Sequence, residues 1–435
     1  MADLSGRNFI TLSSLTILAL ALTLAAAGEP AYVIRNARVH TLSHAGTVEL
    51  ASVVVENGKI TAVGASVKMP AGARIIEGRG LDVYPGMVNA WSNVGLTEIP
   101  AVDVTNDAAE QGQYKPQLMA FSAIHPASEH IPVARVNGIT SCLSVPEGGV
   151  IAGQSVLLHL EGWTIDEMSI LRSAGMVVNY PSLERPRTRF PGAEVGGTPR
   201  QSFEEIKRNY ENQVKELSEW LEKARHYSRA RQAQPATPAD RQLEALVPVV
   251  EGRSIVFLTA DTARDIRNAV EFGKKENLRF VIHGGREANL VADLLKKENA
   301  PVILDSIVEL PAREDDPYDA RFTVPRELAR AGVNFALTSP DSSEIRNLPY
   351  EAGFAQAYGI SGEQALRAVT LSPAEILGVA DRLGSIEVGK IADLVVTDGD
   401  LLEIRTQVKH LFISGREVSL ETRHTRLYEK YLSRP

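Results

Sequence analysis

Short apolar segments alternate with amphipathic helical segments through the middle of this 435-residue chain. Six of the apolar segments are continuously hydrophobic: GITSCLSVP, GMVVNYP, RSIVFLTA, RFVIHGG, APVILDS and VNFALTS. Such runs are typical of parallel strands that are covered on both faces. A helix is predicted to begin at Asp261 or Thr262, with Ile266, Ala269 and Val270 on one face. The repetition predicts an α/β fold with a parallel sheet, and at this length a (β/α)8 TIM-like barrel.

Both ends of the chain have a β-strand pattern instead. Near the amino end, two β-branched runs are separated by Asn57-Gly58, a strong hairpin signal. Near the carboxyl end, short strands are again divided by Gly-Lys, Asp-Gly and Ser-Gly turns. The sequence therefore predicts one small β-sandwich formed by residues 28–84 and 380–435, with the barrel at 85–379.

A helical insertion is expected at about residues 200–248. Ser202 and Glu205 form a capping-box pattern, and Asp240 is placed to cap a second, short helix. Apolar residues follow at helical spacing: Phe203, Ile206, Tyr210, Val214, Leu217 and Leu221. This pattern predicts a long amphipathic helix lying on the barrel, and the alternative is a helix that binds a partner or forms a dimer.

The first 27 residues have the pattern of a signal peptide. Arg7 precedes a long apolar run that ends in Ala25-Ala26-Ala27, which offers a cleavage site just before Gly28. A membrane anchor is the alternative, because the run approaches the length that spans a bilayer. Cleavage is favoured by the small residues, so the protein is expected to be periplasmic or secreted.

Composition excludes several classes of function. The formal net charge of −8 and the isoelectric point near 5.7 argue against nucleic acid or an anionic membrane surface as a partner. Cys142 is the single cysteine, which excludes an intrachain disulfide framework and any cysteine-rich zinc or iron–sulfur site.

Two segments carry a family resemblance. VYPGMVNAWS resembles the first barrel strand of the amidohydrolase superfamily, where the pattern is Pro-Gly, two apolar residues, then Asp-Ala-His-x-His. GSIEVGKIADLVV, near the carboxyl end, is similar to the segment that leaves the barrel in that superfamily, above all in its imidazolonepropionase-like and dihydroorotase-like branches. The resemblance implies a metal-dependent hydrolase barrel with a β-sandwich built from both termini, in agreement with the residue patterns.

The metal ligands that the resemblance implies are mostly replaced here. Trp91 and Asn93 stand where the superfamily has the two histidines of the first strand. Thr259 occupies the place of the third histidine, and His283 keeps the fourth. Asp341 follows a late strand, near the position of the aspartate that binds metal and transfers protons in the superfamily. His283 and Asp341 are therefore the catalytic candidates.

This set leaves too few ligands for an ordinary zinc centre. A catalytic zinc has about three protein ligands and a water, whereas only His283, Asp341 and the weaker donor Asn93 remain. Oxygen donors suit magnesium, calcium or manganese better than zinc. The resemblance thus implies a degenerate site with an altered metal or none, and the cofactor stays open.

Further substrate-binding candidates lie where loops leave the strands. Glu98 belongs to an acidic loop after the first barrel strand, on the rim where barrel active sites are built. Such carboxylates can catalyse proton transfer without metal or hold a hard cation, and the alternative is a solvated loop. Gln154 occupies a similar rim position. The full set of substrate-binding candidates is Trp91, Asn93, Glu98, Gln154 and Thr259.

Two functional hypotheses follow. The first is an exported hydrolase that acts on non-peptide C–N bonds of a small molecule, such as a cyclic amide, with an altered or absent metal centre. The second is a catalytically inactive homologue that serves as a binding protein or as a subunit of an active paralogue. Homo-oligomer formation is compatible with either hypothesis.

Overall fold

A computed structural model describes residues 30–184 and 202–434 of the chain. The predicted signal peptide at residues 1–27 lies outside the described residues, so export stays a prediction. In the described ranges, every helix is too short or too polar to cross a membrane.

The two ends of the chain form one sheet. Its strands follow the order β16-β15-β14-β5-β1-β2-β3, and β4 pairs with β1 in parallel. β14 runs antiparallel to β5, and this pairing joins the carboxyl-terminal part to the amino-terminal part. The strands are β1 (Tyr32–His40), β2 (Thr47–Glu56), β3 (Lys59–Gly64), β4 (Arg74–Glu77), β5 (Asp82–Pro85), β14 (Leu394–Thr397), β15 (Val408–Ile413) and β16 (Arg416–Glu417). Asn57 and Gly58 both have positive φ in the β2–β3 hairpin, as the sequence predicts.

The middle of the chain forms the predicted barrel. Its strands are β6 (Met87–Ser92), β7 (Ile139–Ser144), β8 (Ile151–His159), β9 (Ser169–Asn179), β10 (Ile255–Ala260), β11 (Arg279–Gly284), β12 (Val302–Leu304) and β13 (Phe335–Leu337). One feature differs from the prediction, because β8 runs antiparallel to both β7 and β9. The remaining neighbours in this sheet pair in parallel.

The Asn89 side chain joins the first and last strands of the barrel. Its Nδ2 donates to the carbonyl of Ser339 at 2.8 Å, and its Oδ1 accepts from the Ser339 amide at 3.1 Å. The carboxamide thus replaces a backbone bridge at a fully buried position. In the superfamily pattern that this strand resembles, the position of Asn89 is often an aspartate. The side-chain amide of Asn89 forms both hydrogen bonds without burying a charge.

Helices surround the barrel. They are α1 (His130–Arg135), α2 (Ile165–Met168), α3 (Phe203–Ala233), α4 (Arg241–Val250), α5 (Ala263–Lys275), α6 (Ala292–Lys297), α7 (Val324–Ala331), α8 (Leu348–Ala357), α9 (Gly362–Ala368), α10 (Leu371–Ile376) and, after the second sheet segment, α11 (Arg423–Leu432). α3 and α4 are the predicted insertion, with the Ser202–Glu205 capping box and the Asp240 cap both formed. Thr262 is the N-cap of α5, so the helix begins at the second of the two predicted positions, Asp261 and Thr262.

A buried polar cluster connects the barrel to the sheet domain. His159, at the end of β8, places Nε2 3.0 Å from a carboxylate oxygen of Asp393 and Nδ1 3.1 Å from the hydroxyl of Ser414. The other Asp393 oxygen accepts from the Ser414 amide at 2.8 Å. His159 is thus a hydrogen-bonded buried histidine, as its apolar sequence context favours.

Candidate active site at the barrel mouth

The register of the strands places Thr259 and His283 side by side. They are direct partners on β10 and β11, one residue before each strand ends. The Trp91 indole, from β6, stacks on the His283 ring with centroids 3.5 Å apart and planes 13° apart. Its other contact is edge-on to Phe257, one layer deeper, at 5.6 Å. Trp91 is only 8% exposed, so three of the predicted site residues meet in one layer that closes the barrel interior.

His283 is a neutral imidazole in this layer. Burial lowers the pKa of His283 to about 3, against a smaller opposing effect of the Asp261 charge. Its Nδ1 lies 3.3 Å from the Thr259 hydroxyl. Its Nε2 is buried and has no hydrogen-bond partner among the described residues. This nitrogen is therefore a buried polar atom of the layer whose hydrogen-bonding capacity is unsatisfied.

Above this layer, a polar group lies at the rim. Asn93 accepts a hydrogen bond from the Ser342 amide at 2.8 Å and donates to Glu147 at 3.4 Å. Asp341 accepts from the amide and the hydroxyl of Ser343 at 2.8 and 2.7 Å, all through Oδ1. Asn93 therefore connects the loop that carries Asp341 to the loop that carries Glu147.

Glu147 is a candidate that the sequence analysis missed. It follows β7 in the segment VPEGG, a glycine-rich loop whose acidic residue had no motif around it. Although the residue keeps exposed surface, desolvation at the rim raises the pKa of its carboxyl, and the Asp341 charge adds to this effect. The Asn93 hydrogen bond opposes both. A carboxyl with a raised pKa beside a second carboxylate is suited to acid–base roles.

Asp305 is a second missed candidate. It directly follows β12, and strand alternation puts it on the side of the sheet that Ile303 presents to the barrel interior. Its amide donates to the Gly284 carbonyl beside His283. Burial raises the pKa of the Asp305 carboxyl, while the amide of Ser306 and the charge of Arg321 lower it.

Two predicted substrate-binding residues have structural contacts instead. The Glu98 carboxylate accepts from the Ser128 hydroxyl at 2.7 Å and the Glu129 amide at 3.1 Å, at the start of α1. The Gln154 side chain donates to the Pro116 carbonyl at 3.1 Å. Neither side chain contributes to the layer of Trp91 and His283, and their role in binding substrate stays an untested prediction.

The arrangement does not supply the ligands of an ordinary zinc centre. Across residues 30–184 and 202–434, there is no group of three or more His, Cys, Asp or Glu side chains that could hold a metal ion. The indole of Trp91 covers the ring of His283, and the Oδ1 atoms of Asn93 and Asp341 already accept backbone hydrogen bonds. These donors therefore do not fit a three-ligand site.

Comparisons with known proteins agree with the fold. Residues 305–418 match the model of the amidohydrolase family. An amidohydrolase of Hapsidospora irregularis is 25% identical over 396 residues, which cover 84% of this chain and 39% of that protein. The imidazolonepropionase of Syntrophobacter fumaroxidans is 34% identical over 83 residues, 18% of this chain and 20% of that protein. The chain thus spans about two fifths or less of the length of each of these relatives.

A solved structure extends the comparison to the whole fold. The crystal structure of an amidohydrolase from Thermotoga maritima has a TM-score of 0.77, with 24% identity, and covers 89% of this chain and 99% of that chain. Residues 305–418 thus carry an amidohydrolase family domain, and the chain shares with this solved structure the barrel and the two-part sheet domain that its sequence predicts.

Proposed function

We propose that the protein is a hydrolase that cleaves non-peptide C–N bonds with the carboxyl groups of its rim, at a centre other than an ordinary zinc site. The observation that carries this proposal is the rim group of Glu147, Asn93 and Asp341, in which one carboxyl has a raised pKa beside a carboxylate. The hydrolase assignment is supported by the amidohydrolase family domain and by the similarity to an amidohydrolase.

The chemistry divides between the two carboxyl groups. Asp341, ionised, takes a proton from a water molecule, and the water oxygen forms a bond to the carbonyl carbon of the amide. Glu147, protonated, gives its proton to the nitrogen as the C–N bond breaks. The products are a carboxylic acid and an amine, and both side chains regain their first states when the proton that Asp341 took from water passes to Glu147 through solvent.

The layer below supplies a surface for the substrate. The indole of Trp91 offers a flat face to a planar ring, which favours a cyclic amide over an extended peptide. A neutral His283 can donate or accept at Nε2 but does not carry a positive charge at neutral pH. Because the indole covers this ring, Nε2 does not contact a substrate that lies on Trp91.

Turnover assays on cyclic amides, imidazolones and dipeptides test the proposal. We expect Glu147→Gln and Asp341→Asn to lower kcat by about 100-fold or more, the usual scale of general acid–base catalysis. Activity in the wild type is expected to fall as pH rises through the raised pKa of Glu147, because the acid must be protonated. Asp103→Asn, in the exposed part of the acidic loop, is the matched control and should leave kcat unchanged.

Metal removal tests the second half of the proposal. Chelator treatment is expected to leave turnover unchanged, with less than one zinc per chain by elemental analysis. Loss of activity with chelator and its return with zinc would show that a metal centre of another composition does the chemistry. Full activity in both carboxyl variants, or no turnover on any substrate despite ligand-dependent stabilisation, would reject the hydrolase mechanism.

A further inference from the structure

The helix α11 has no buried residue on any side. Its first turn is fixed by Thr422, which is buried and accepts a hydrogen bond from the Thr425 amide at 3.1 Å. From Arg423 to Arg434 every residue is exposed. A ten-residue helix in water is marginal without contacts to stabilise it. All sides of this helix are therefore accessible to solvent or to a partner in the part of the chain that the structure describes.

One side of this helix is apolar. Leu427, Tyr428, Tyr431 and Leu432 stand at positions i, i+1, i+4 and i+5, which lie together on a helix of 3.6 residues per turn. All four are exposed, and Tyr428 reaches 66%. Leucine and tyrosine in such a stripe are typical of helices that lie in a membrane interface.

The adjoining side is basic. Arg423, Arg426, Lys430 and Arg434 follow at intervals of three and four residues, so they form a row beside the apolar stripe. Glu429 is the one acidic residue of the segment, and it lies in the gap between Arg426 and Leu432, outside both the row and the stripe. The overall charge of −8 conceals this local excess of positive charge. A basic amphipathic helix is the usual pattern of binding to an anionic membrane surface.

An exposed tryptophan lies on the same part of the surface. Trp163 is 91% exposed and lines, together with Arg426, a cavity of about 450 Å³ beside α1. The carboxylates around this cavity are each paired with an arginine: Glu129 and Glu421 with Arg426, and Glu161 with Arg135. Arg426 is thus occupied by two carboxylates, so Arg423, Lys430 and Arg434 are the charges of the row that would meet an anionic surface beside this tryptophan.

We propose that α11 and Trp163 form a docking surface for an anionic phospholipid bilayer, with the apolar stripe in the interface and the basic row on the headgroups. A second copy of the chain fits less well, because an antiparallel two-fold pairing of α11 with itself through the apolar stripe would bring two basic rows together on one side. The proposal is independent of the hydrolase mechanism and of residues 1–27.

Vesicle flotation with the full chain tests this surface. We expect binding to vesicles that contain phosphatidylglycerol, little binding to pure phosphatidylcholine, and release by salt. Arg423→Gln with Lys430→Gln should weaken binding by about 30-fold, because each positive charge near an anionic surface contributes about a factor of five to the binding constant. Leu427→Ser with Tyr431→Ser should also weaken it. Glu429→Gln, which lies outside both the row and the stripe, is the matched control and should not weaken it.

Because all substituted residues are exposed, circular dichroism and melting should match the wild type in each variant. Binding that depends on phosphatidylglycerol and falls in both double variants supports the proposal. Equal binding to neutral vesicles, or binding unchanged in both double variants, overturns it, since another segment would then hold the bilayer. Absence of vesicle binding, with a concentration-dependent dimer lost in Leu427→Ser/Tyr431→Ser, overturns it in favour of a second copy.

Discussion

Replacing Trp91 by alanine should destabilise the protein in a way that depends on pH. The indole is 8% exposed and contacts the rings of His283 and Phe257. Truncation of a buried tryptophan to alanine costs about 3–5 kcal/mol, which includes the stacking contacts. We therefore expect Trp91→Ala to lower the free energy of unfolding by about 3–5 kcal/mol at pH 7.

The pH dependence follows from His283. Its pKa is about 3 in the folded protein, whereas an unfolded histidine has a pKa of about 6.5. As pH falls between these values, the unfolded state binds the proton first, so the wild type loses about 1.4 kcal/mol per pH unit from this group. In Trp91→Ala, water reaches the ring and the folded pKa returns toward its ordinary value. The variant then does not lose this stability as the pH falls. The difference in free energy of unfolding between wild type and variant should therefore be smaller at pH 4.5 than at pH 7, by up to about 3 kcal/mol.

Urea unfolding at pH 7 and pH 4.5 measures both effects. Trp163→Ala is the matched control, because the same substitution at a 91% exposed indole should change stability by less than about 0.5 kcal/mol. In Trp91→Ala/His283→Gln, the pH-dependent part should disappear when it is compared with His283→Gln alone. A Trp91→Ala penalty below about 1 kcal/mol, or one that is equal at both pH values, would refute the stacked and buried geometry.

Three further outcomes are expected. Asn89→Ala should lower the free energy of unfolding by about 2–4 kcal/mol, since it leaves two buried backbone groups without partners; an unchanged urea midpoint would contradict this role in barrel closure. His159→Ala and Asp393→Asn should each destabilise the protein, and a double-mutant cycle should give a coupling above about 0.5 kcal/mol; additive effects would exclude the pair. Trp91→His with Asn93→His should raise zinc binding toward one ion per chain by elemental analysis and calorimetry; no gain would show that the two positions do not face one centre.

Local patterns predicted most of the fold because the physical cause lies within a few residues. The Asn57-Gly58 hairpin and the Ser202–Glu205 capping box depend on backbone conformation and on hydrogen bonds over three residues. The antiparallel orientation of β8 was not predicted, because the same apolar segment is compatible with a parallel or an antiparallel strand. One signal was available: only six residues separate β7 from β8, whereas a parallel crossover needs about a dozen or more.

The candidate site was predicted in part for similar reasons. Trp91, Thr259 and His283 meet because equivalent strand ends converge in a barrel, which the pattern of the strands implies. Glu147 and Asp305 were missed because desolvation, which raises their pKa values, is a property of the folded surroundings. Nothing near them in the sequence distinguishes them from the solvated acidic residues of other loops.

The residues at the positions where the resemblance implies metal ligands form a consistent set. Several imidazoles buried together without a cation would leave nitrogen atoms unpaired, and each such atom is costly. Here one imidazole position holds an apolar indole that packs on its neighbour, and another holds Thr259, whose hydroxyl faces Nδ1 of the remaining histidine. The layer is thereby neutral, and among the described residues its one buried polar atom without a hydrogen-bond partner is the Nε2 of His283. The carboxyl groups nearest to this layer on the rim, Glu147 and Asp341, lie where water or backbone amides can stabilise them. We therefore expect that restoring one histidine alone, as in Trp91→His, destabilises the barrel without creating a zinc site.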